Sequence, residues 1–252
     1  MPIKDKAYLL ERINKMYLSS DELDNKKKHL TKENEQKILS LKDKYKGKRC
    51  FIIGGSPSLA QLDLTKLNNE YTFCNNRGYL LKEKGLNHST FYVLADKNLV
   101  EKDKLMDDYE SDFCSKFFVA GILNFPDHKF DTTYYDFGFI KSRSFTPDLT
   151  LMLNEGETII YHTIQIAYYL GFSEIYIIGV DLDFTKIKGH IHKETQNEIQ
   201  RQKDISIKTQ HIMLEYMKYA TDFIESHNRH IYNASPVGIV DCMKRVRYEE
   251  LF

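Results

Sequence analysis

The sequence predicts an α/β protein with a single, mainly parallel sheet, helices on both faces and a helical arm ahead of it. Three observations carry that expectation. From Lys48 onward, short β-rich runs alternate with helical segments, the pattern of strand, crossover and strand. The first run breaks into Gly54-Gly55-Ser56-Pro57-Ser58, and the residues after the later runs are polar or glycine. The 252 residues suffice for one sizeable domain with an appendage. The order of elements is Rossmann-like.

Residues 1–47 are read as the arm. They are strongly charged, hold no glycine before Gly47, and carry Leu9, Leu10, Ile13, Met16 and Tyr17 at helical spacing. Such a stripe suits contact with a second copy. Lys26-Lys27-Lys28 reads first as a solvated face, with docking to a membrane surface or an acidic partner as the alternative.

Residues 48–252 are read as the nucleotide-binding catalytic domain. Strands are expected at 49–54, 71–74, 90–95, 116–120 and 174–179, with a final one near 230–232. Segments 62–67 and 79–84 read as short helical or irregular crossovers. A helix is expected over 157–170, opened by Gly156 and closed by Gly171. A polar loop at 185–194 then leads into a long helix over 198–227.

In open α/β sheets the ligand lies beyond the carboxyl ends of the strands. Four such ends are polar here: Gly54-Gly55-Ser56, Asn75-Asn76-Arg77-Gly78, Asp96-Lys97-Asn98 and Gly179-Val180-Asp181-Leu182-Asp183. The first reads as a phosphate-binding loop, in which Gly54 and Gly55 permit close approach of a ligand. Pro57 suits a first helical turn, and Ser56 or Ser58 suits its cap. A plain tight turn is the alternative. Asn75 lies about twenty residues on, where a dinucleotide fold carries an acid for the ribose. With Asn76 it offers amides for a base, ribose or sugar hydroxyl without adding negative charge.

The absence of that acid and of Gly-x-Gly-x-x-Gly argues against dinucleotide redox chemistry, and no Gly-Lys-Ser/Thr marks a P-loop. Asp181 and Asp183, two apart at a strand end, suit a shared Mg²⁺ or Mn²⁺ touching a diphosphate. Capping of neighbouring loops by Asp181 is the alternative. His190 and His192 fall in the polar loop, where an imidazole is matched to deprotonating a sugar hydroxyl near neutral pH. His162 and His211 read as structural.

Composition narrows the partners. Lysine and arginine number 36 against 36 acidic residues, so no global field recruits nucleic acid or an anionic membrane. The start of the chain lacks the apolar core of a signal peptide and no run is long enough to span a bilayer, so a cytoplasmic location is expected, with the inner face of the membrane as an option through the arm. Cys50, Cys74, Cys114 and Cys242 show no paired spacing and read as reduced core residues.

Taken as an ordered set, Phe51-Ile-Ile-Gly-Gly-Ser-Pro-Ser-Leu59, Cys74-Asn-Asn-Arg77, Tyr92-Val-Leu-Ala-Asp96, Gln165-Ile-Ala-Tyr-Tyr-Leu-Gly171 and Glu174-Ile-Tyr-Ile-Ile-Gly-Val-Asp181 resemble the motifs of one superfamily. It holds the motility accessory factor proteins that glycosylate flagellin, the archaeal hydroxymethylpterin pyrophosphokinases and, more distantly, the bacterial lipooligosaccharide sialyltransferases. The resemblance runs from about Lys44 to the C-terminus and includes Ile231-Tyr-Asn-Ala-Ser235.

The resemblance implies a nucleotide-activated donor held by Gly54 to Ser58 and by Asn75 and Asn76, with a loop histidine, His190 or His192, as base. Asp96 is placed beside the donor by its strand end. Two departures bear on the donor: the family's Gly-Asn-Gly-Pro-Ser reads Gly54-Gly55-Ser56-Pro57-Ser58, and the sialyltransferases' Thr-Ser-Gly helix start reads Thr158-Ile159-Ile160. They leave CMP-sugars other than CMP-sialic acid, or another nucleotide sugar, as the donor.

The expected function is a glycosyltransferase moving a sugar from a nucleotide sugar to a glycan or glycoconjugate acceptor. Arg77 or Lys97 would help neutralise phosphate, and no cofactor is obligatory. A Mg²⁺-dependent diphosphokinase and a non-catalytic nucleotide- or glycan-binding partner are the rivals.

Overall fold

The computed structural model describes residues 18–102, 105–107, 109, 112–126, 129–139, 144–184 and 196–252. The apolar positions from Leu9 to Tyr17, and His190 and His192, lie outside the described residues.

Two short helices come first, α1 (Ser20–His29) and α2 (Lys32–Leu41). Ser19 caps α1 in a reciprocal box with Glu22, and Thr31 caps α2, so each start is written in its capping residue. Eight strands then form one sheet: β1 (Arg49–Ile53), β2 (Tyr71–Asn75), β3 (Phe91–Leu94), β4 (Lys116–Ala120), β5 (Asp131–Tyr135), β8 (Glu174–Ile178), β9 (His230–Asn233) and β10 (Lys244–Arg245). Two-residue strands β6 (Phe137–Gly138) and β7 (Leu153–Asn154) pair separately.

The strand order is β10-β9-β8-β1-β2-β3-β4-β5, and every pairing is parallel. Successive residues of β1, from Cys50 to Ile53, point to opposite faces and are all buried, so both faces of the central strands are covered. Helices α3 (Ile159–Tyr169) and α4 (Gln196–Ser226) pack on each other, α3 also against β1 and β3, and α4 against β9. The expected α/β fold is the one observed.

Differences from the expected boundaries have local causes. Helix α3 begins at Ile159 because Glu157 takes a left-handed φ of 62° and Thr158 caps the helix by accepting the Ile160 N–H. The crossovers around 62–67 and 79–84 are 3₁₀ turns, at Leu64–Asn69 and Gly78–Lys84. Strand β2 extends to Asn75, and β1 stops before Gly54. Strands β5, β6, β7 and β10 were not anticipated. The four cysteines are free, three of them buried.

Strand β5 is a sheet edge, and α2 closes it. The Asn34 side chain donates to the Tyr134 carbonyl (2.8 Å) and accepts the Tyr134 N–H (2.8 Å), while Lys37 donates to the Thr132 carbonyl (2.8 Å). These contacts do what a further strand would do and leave fewer edge groups open to another chain. His29 of α1 stacks on Tyr134 at 4.0 Å between centroids. Lys26, from the lysine run, pairs with Asp136 at 2.5 Å. Residues 18–47 are thus laid against the sheet.

Asn34→Ala removes both bonds to Tyr134 at once. A loss of about 2 kcal/mol is expected, the range for buried groups left unpaired. Urea unfolding would measure it, and an unchanged midpoint would refute the edge-closing role.

Candidate active site at the strand-order reversal

Strand order reverses between β1 and β8, the place where open α/β sheets take their ligands. The two loops that leave these strands are the glycine loop and Gly179–Asp183, and they are fastened together. The Gly54 N–H donates to the Ile178 carbonyl (2.8 Å) and the Ser56 N–H to the Gly179 carbonyl (3.0 Å). Gly54 lies so close that a Cβ there would overlap the Gly179 carbonyl oxygen and stand 2.7 Å from Val180 Cγ2.

Both serines of the loop are engaged internally. Ser56 Oγ accepts the Asp181 N–H (3.2 Å), and Ser58 Oγ donates to Asp181 Oδ1 (2.6 Å). Neither is therefore free to cap the 3₁₀ turn Pro57–Gln61. The Gly55 N–H bonds to no group among the described residues.

Asp181 is the centre of this arrangement. Its residue is only 1 % exposed, and its Oδ2 has no hydrogen-bond partner among the described residues. Burial pushes its carboxyl above the ordinary range; the Ser58 hydroxyl and N–H and the charge of Arg245 pull it back, and Asp183 pushes it further up. Leu182, between the two acids, holds a left-handed φ of 50°. Asp183 is also buried. No group of three His, Cys, Asp or Glu side chains suited to a metal occurs among the described residues. A divalent ion at Asp181 and Asp183 would therefore draw its other ligands from phosphate oxygens and water.

The two asparagines differ in role. Asn75 is buried and donates its amide to the Ile53 carbonyl (3.0 Å), tying the ends of β1 and β2 together. Asn76 stands in the left-handed region at φ 48°, where asparagine is tolerated best after glycine. Tyr92 fixes that geometry: its hydroxyl donates to the Asn76 carbonyl (2.6 Å) and accepts the Tyr79 N–H (3.0 Å). Asn76 Oδ1 is buried and has no partner among the described residues.

Asp96 is exposed and accepts the Leu99 N–H (3.2 Å), so it caps the turn Asn98–Lys102. Lys97 lies 3.4 Å from Glu22 of α1 and directs its charge there. The structure brings Ser56 and Ser58 into direct contact with Asp181, sets Gly54 against Gly179 and Val180 of the same loop, and leaves Asn75 and Asn76 at the neighbouring strand end.

A third wall was missed in the sequence. The turn between β9 and β10 lies against Val180 and Asp181: Ser235 Oγ accepts the Val180 N–H (3.2 Å), and the Ile239 N–H donates to the Asp181 carbonyl (2.9 Å). The only forewarning was Asn233-Ala234-Ser235 at a strand end.

Residues 24–187 match the family described as 6-hydroxymethylpterin diphosphokinase MptE-like. The chain belongs to that family. The MptE-like segment begins inside α1, earlier than the expected start near Lys44, and stops beyond Asp183, so β9 and β10 lie outside it. No curated protein sequence matches the chain.

Among solved structures, the fold is similar to that of a MAf glycosyltransferase from Magnetospirillum magneticum AMB-1, with TM-score 0.55 and 20 % identity. That match covers 89 % of this MptE-like chain and 39 % of the other, so the chain spans about two-fifths of its length. The sialyltransferase CstII from Campylobacter jejuni, in complex with the substrate analogue CMP-3FNeuAc, aligns with TM-score 0.48 and 13 % identity over 79 % of this chain and 86 % of that one. No helix among the described residues is long and apolar enough to cross a membrane.

Proposed function

We propose that this protein is a glycosyltransferase that moves a sugar from a nucleotide-activated donor, a CMP-sugar by preference, to a glycan or glycoconjugate acceptor. The observation that carries the reading is the closure of the glycine loop onto the β8 loop at the strand-order reversal. The unengaged Gly55 N–H and the unpartnered, buried Asn76 Oδ1 at the next strand end support it as groups for a nucleotide to bond. The fold shared with a MAf glycosyltransferase supports the same class.

In this reading the Gly55 N–H receives the donor phosphate, with Gly54 holding the loop against β8, and Asn76 accepts from a hydroxyl or amino group of the nucleoside. Asn75, Ser56 and Ser58 hold the frame. Asp96 caps its turn and stands at the rim. His190 or His192 deprotonates the acceptor hydroxyl, and oriented N–H donors stabilise the departing nucleotide. The location proposed is cytoplasmic, with the apolar stripe from Leu9 to Tyr17 as the part that would meet a membrane face or a second copy.

The family match favours one second reading, a diphosphokinase in which Asp181 and Asp183 hold Mg²⁺ on a nucleoside triphosphate. A thermal-shift panel of CMP, UDP, GDP, dTDP and ATP, each with and without Mg²⁺, separates the two. A rise in melting temperature with CMP and no metal supports transfer from a CMP-sugar. A rise confined to ATP with Mg²⁺ replaces it with the kinase, and no rise with any nucleotide removes both. Full transferase activity in both His190→Ala and His192→Ala would sink the base assignment alone.

A further inference from the structure

We infer that Arg245 is a positioning residue for this site, setting the Val180–Asp181 turn and, through it, the glycine loop. The inference rests on the nucleotide-binding reading above. Arg245 closes β10, a two-residue edge strand outside the matched family segment, and its side chain is 37 % exposed. It belongs neither to the core nor to any motif legible in the sequence.

Its guanidinium grips the β9–β10 turn from outside. Nη1 donates to the Ser235 carbonyl (2.8 Å) and Nη2 to the Gly238 carbonyl (3.1 Å), with an Asp241 carboxylate oxygen 3.5 Å from Nη2. Two diverging donors on one rigid plane suit two carbonyls three residues apart, a geometry that a lysine ammonium does not reproduce. From within, Asn233 braces the same turn by donating to the Val240 carbonyl (3.0 Å) and accepting the Ser235 N–H (2.9 Å).

The braced turn moulds the acid. Gly238 takes a φ of 113°, and a Cβ on it would stand 2.6 Å from both the Asp181 Cα and the Asp181 carbonyl oxygen. Ser235 and Ile239 bond the backbone of Val180 and Asp181 on either side of that contact. Asp181 then holds Ser58 through its carboxylate and Ser56 through its N–H. Each link from Arg245 to the glycine loop is thus a hydrogen bond or a direct backbone contact. The positive charge of Arg245 also favours the ionised form of the Asp181 carboxyl.

The test uses the full chain as wild type, Arg245→Gln and Arg245→Lys. Three quantities are read: the urea midpoint, hydrogen exchange of the Val180, Asp181 and Ile239 amides, and affinity for whichever nucleotide stabilises the wild type most. In Arg245→Gln the three amides are expected to exchange about tenfold faster and the nucleotide to bind about tenfold more weakly, the effect of losing one or two hydrogen bonds. The urea midpoint should fall by no more than those bonds account for, Arg245→Lys should fall between, and Asn34→Ala, destabilised to a similar degree at the far edge of the sheet, should keep wild-type affinity. Unchanged exchange and affinity in Arg245→Gln, or an equal loss of affinity in Asn34→Ala, would overturn the role. If the wild type binds no nucleotide, the functional reading fails by itself, and the exchange measurement still decides for or against Arg245.

Discussion

Gly54→Ala is expected to destabilise the protein by about 3 kcal/mol, at the upper end of what one added methyl costs in a packed site. The reason is geometric and not conformational. The new Cβ overlaps the Gly179 carbonyl oxygen, a backbone atom that no rotamer change can move away. The ends of β1 and β8 must then separate, and their separation breaks the Gly54 N–H to Ile178 bond and the Ser56 N–H to Gly179 bond together. Since Ser56 and Ser58 are bonded to Asp181 across the same gap, the binding loops come apart with the strands. Urea unfolding should show a lowered midpoint with an unchanged slope, and nucleotide binding should be lost at temperatures where the variant is still folded. A variant with the wild-type midpoint and affinity would show that the loops are not fastened as described.

What could be foreseen from the sequence divides along the range of the interactions involved. Strands β1, β2, β3, β4 and β8 were legible because residues on both faces of each are buried, so their mostly apolar runs give way to glycine or polar residues, while β9, half buried, showed only in its Ile231-Tyr232 pair. Helix α3 was legible for the same reason, with Gly171 as its stop. Strand β5 was not. Its Asp131-Thr-Thr-Tyr-Tyr135 run is half polar because it is an edge, closed by Asn34 some hundred residues earlier in the chain.

The candidate site shows the same division. The polar strand ends could be grouped at the carboxyl end of the sheet, since that follows from topology alone. The partners of the individual side chains did not follow, because Ser58 meets Asp181 over 123 residues and no local pattern records such a pair. Asn75 illustrates the consequence: a polar residue at a strand end reads as ligand-binding, yet its amide holds the Ile53 carbonyl. The role of the β9–β10 turn was missed for a further reason, since its contacts with Val180 and Asp181 are made through the backbone of Gly238 and Ile239 and the Ser235 hydroxyl, and not through charged side chains.

Acid should weaken the protein through His162. This residue is 3 % exposed and joins the end of β5 to the start of α3. Its Nε2 faces the Glu155 carbonyl at 2.9 Å, which can only accept, so Nε2 carries the proton and Nδ1 accepts from the Tyr135 hydroxyl at 3.0 Å. The neutral ring is therefore fully bonded, and burial lowers its pKa to about 4 from an ordinary 6.5. A group depressed in this way contributes stability above its unfolded pKa, and that stability is lost as the pH falls toward the folded value. Between pH 6.5 and about 4 the loss approaches about 3 kcal/mol, a large part of the stability of an ordinary domain. His162→Gln removes the titrating ring while its amide can still donate to the Glu155 carbonyl. The variant should be less stable than wild type at pH 7 but lose less on acidification, so the two stability curves converge toward pH 4. Parallel curves across that window would show that His162 does not carry the acid response. Because the ring anchors the loop that opens α3 beside the ends of β3 and β5, the same acidification should loosen that side of the crevice before the sheet unfolds. Faster exchange at Gly156 to Ile160, ahead of the β1 and β8 amides, is the expected sign.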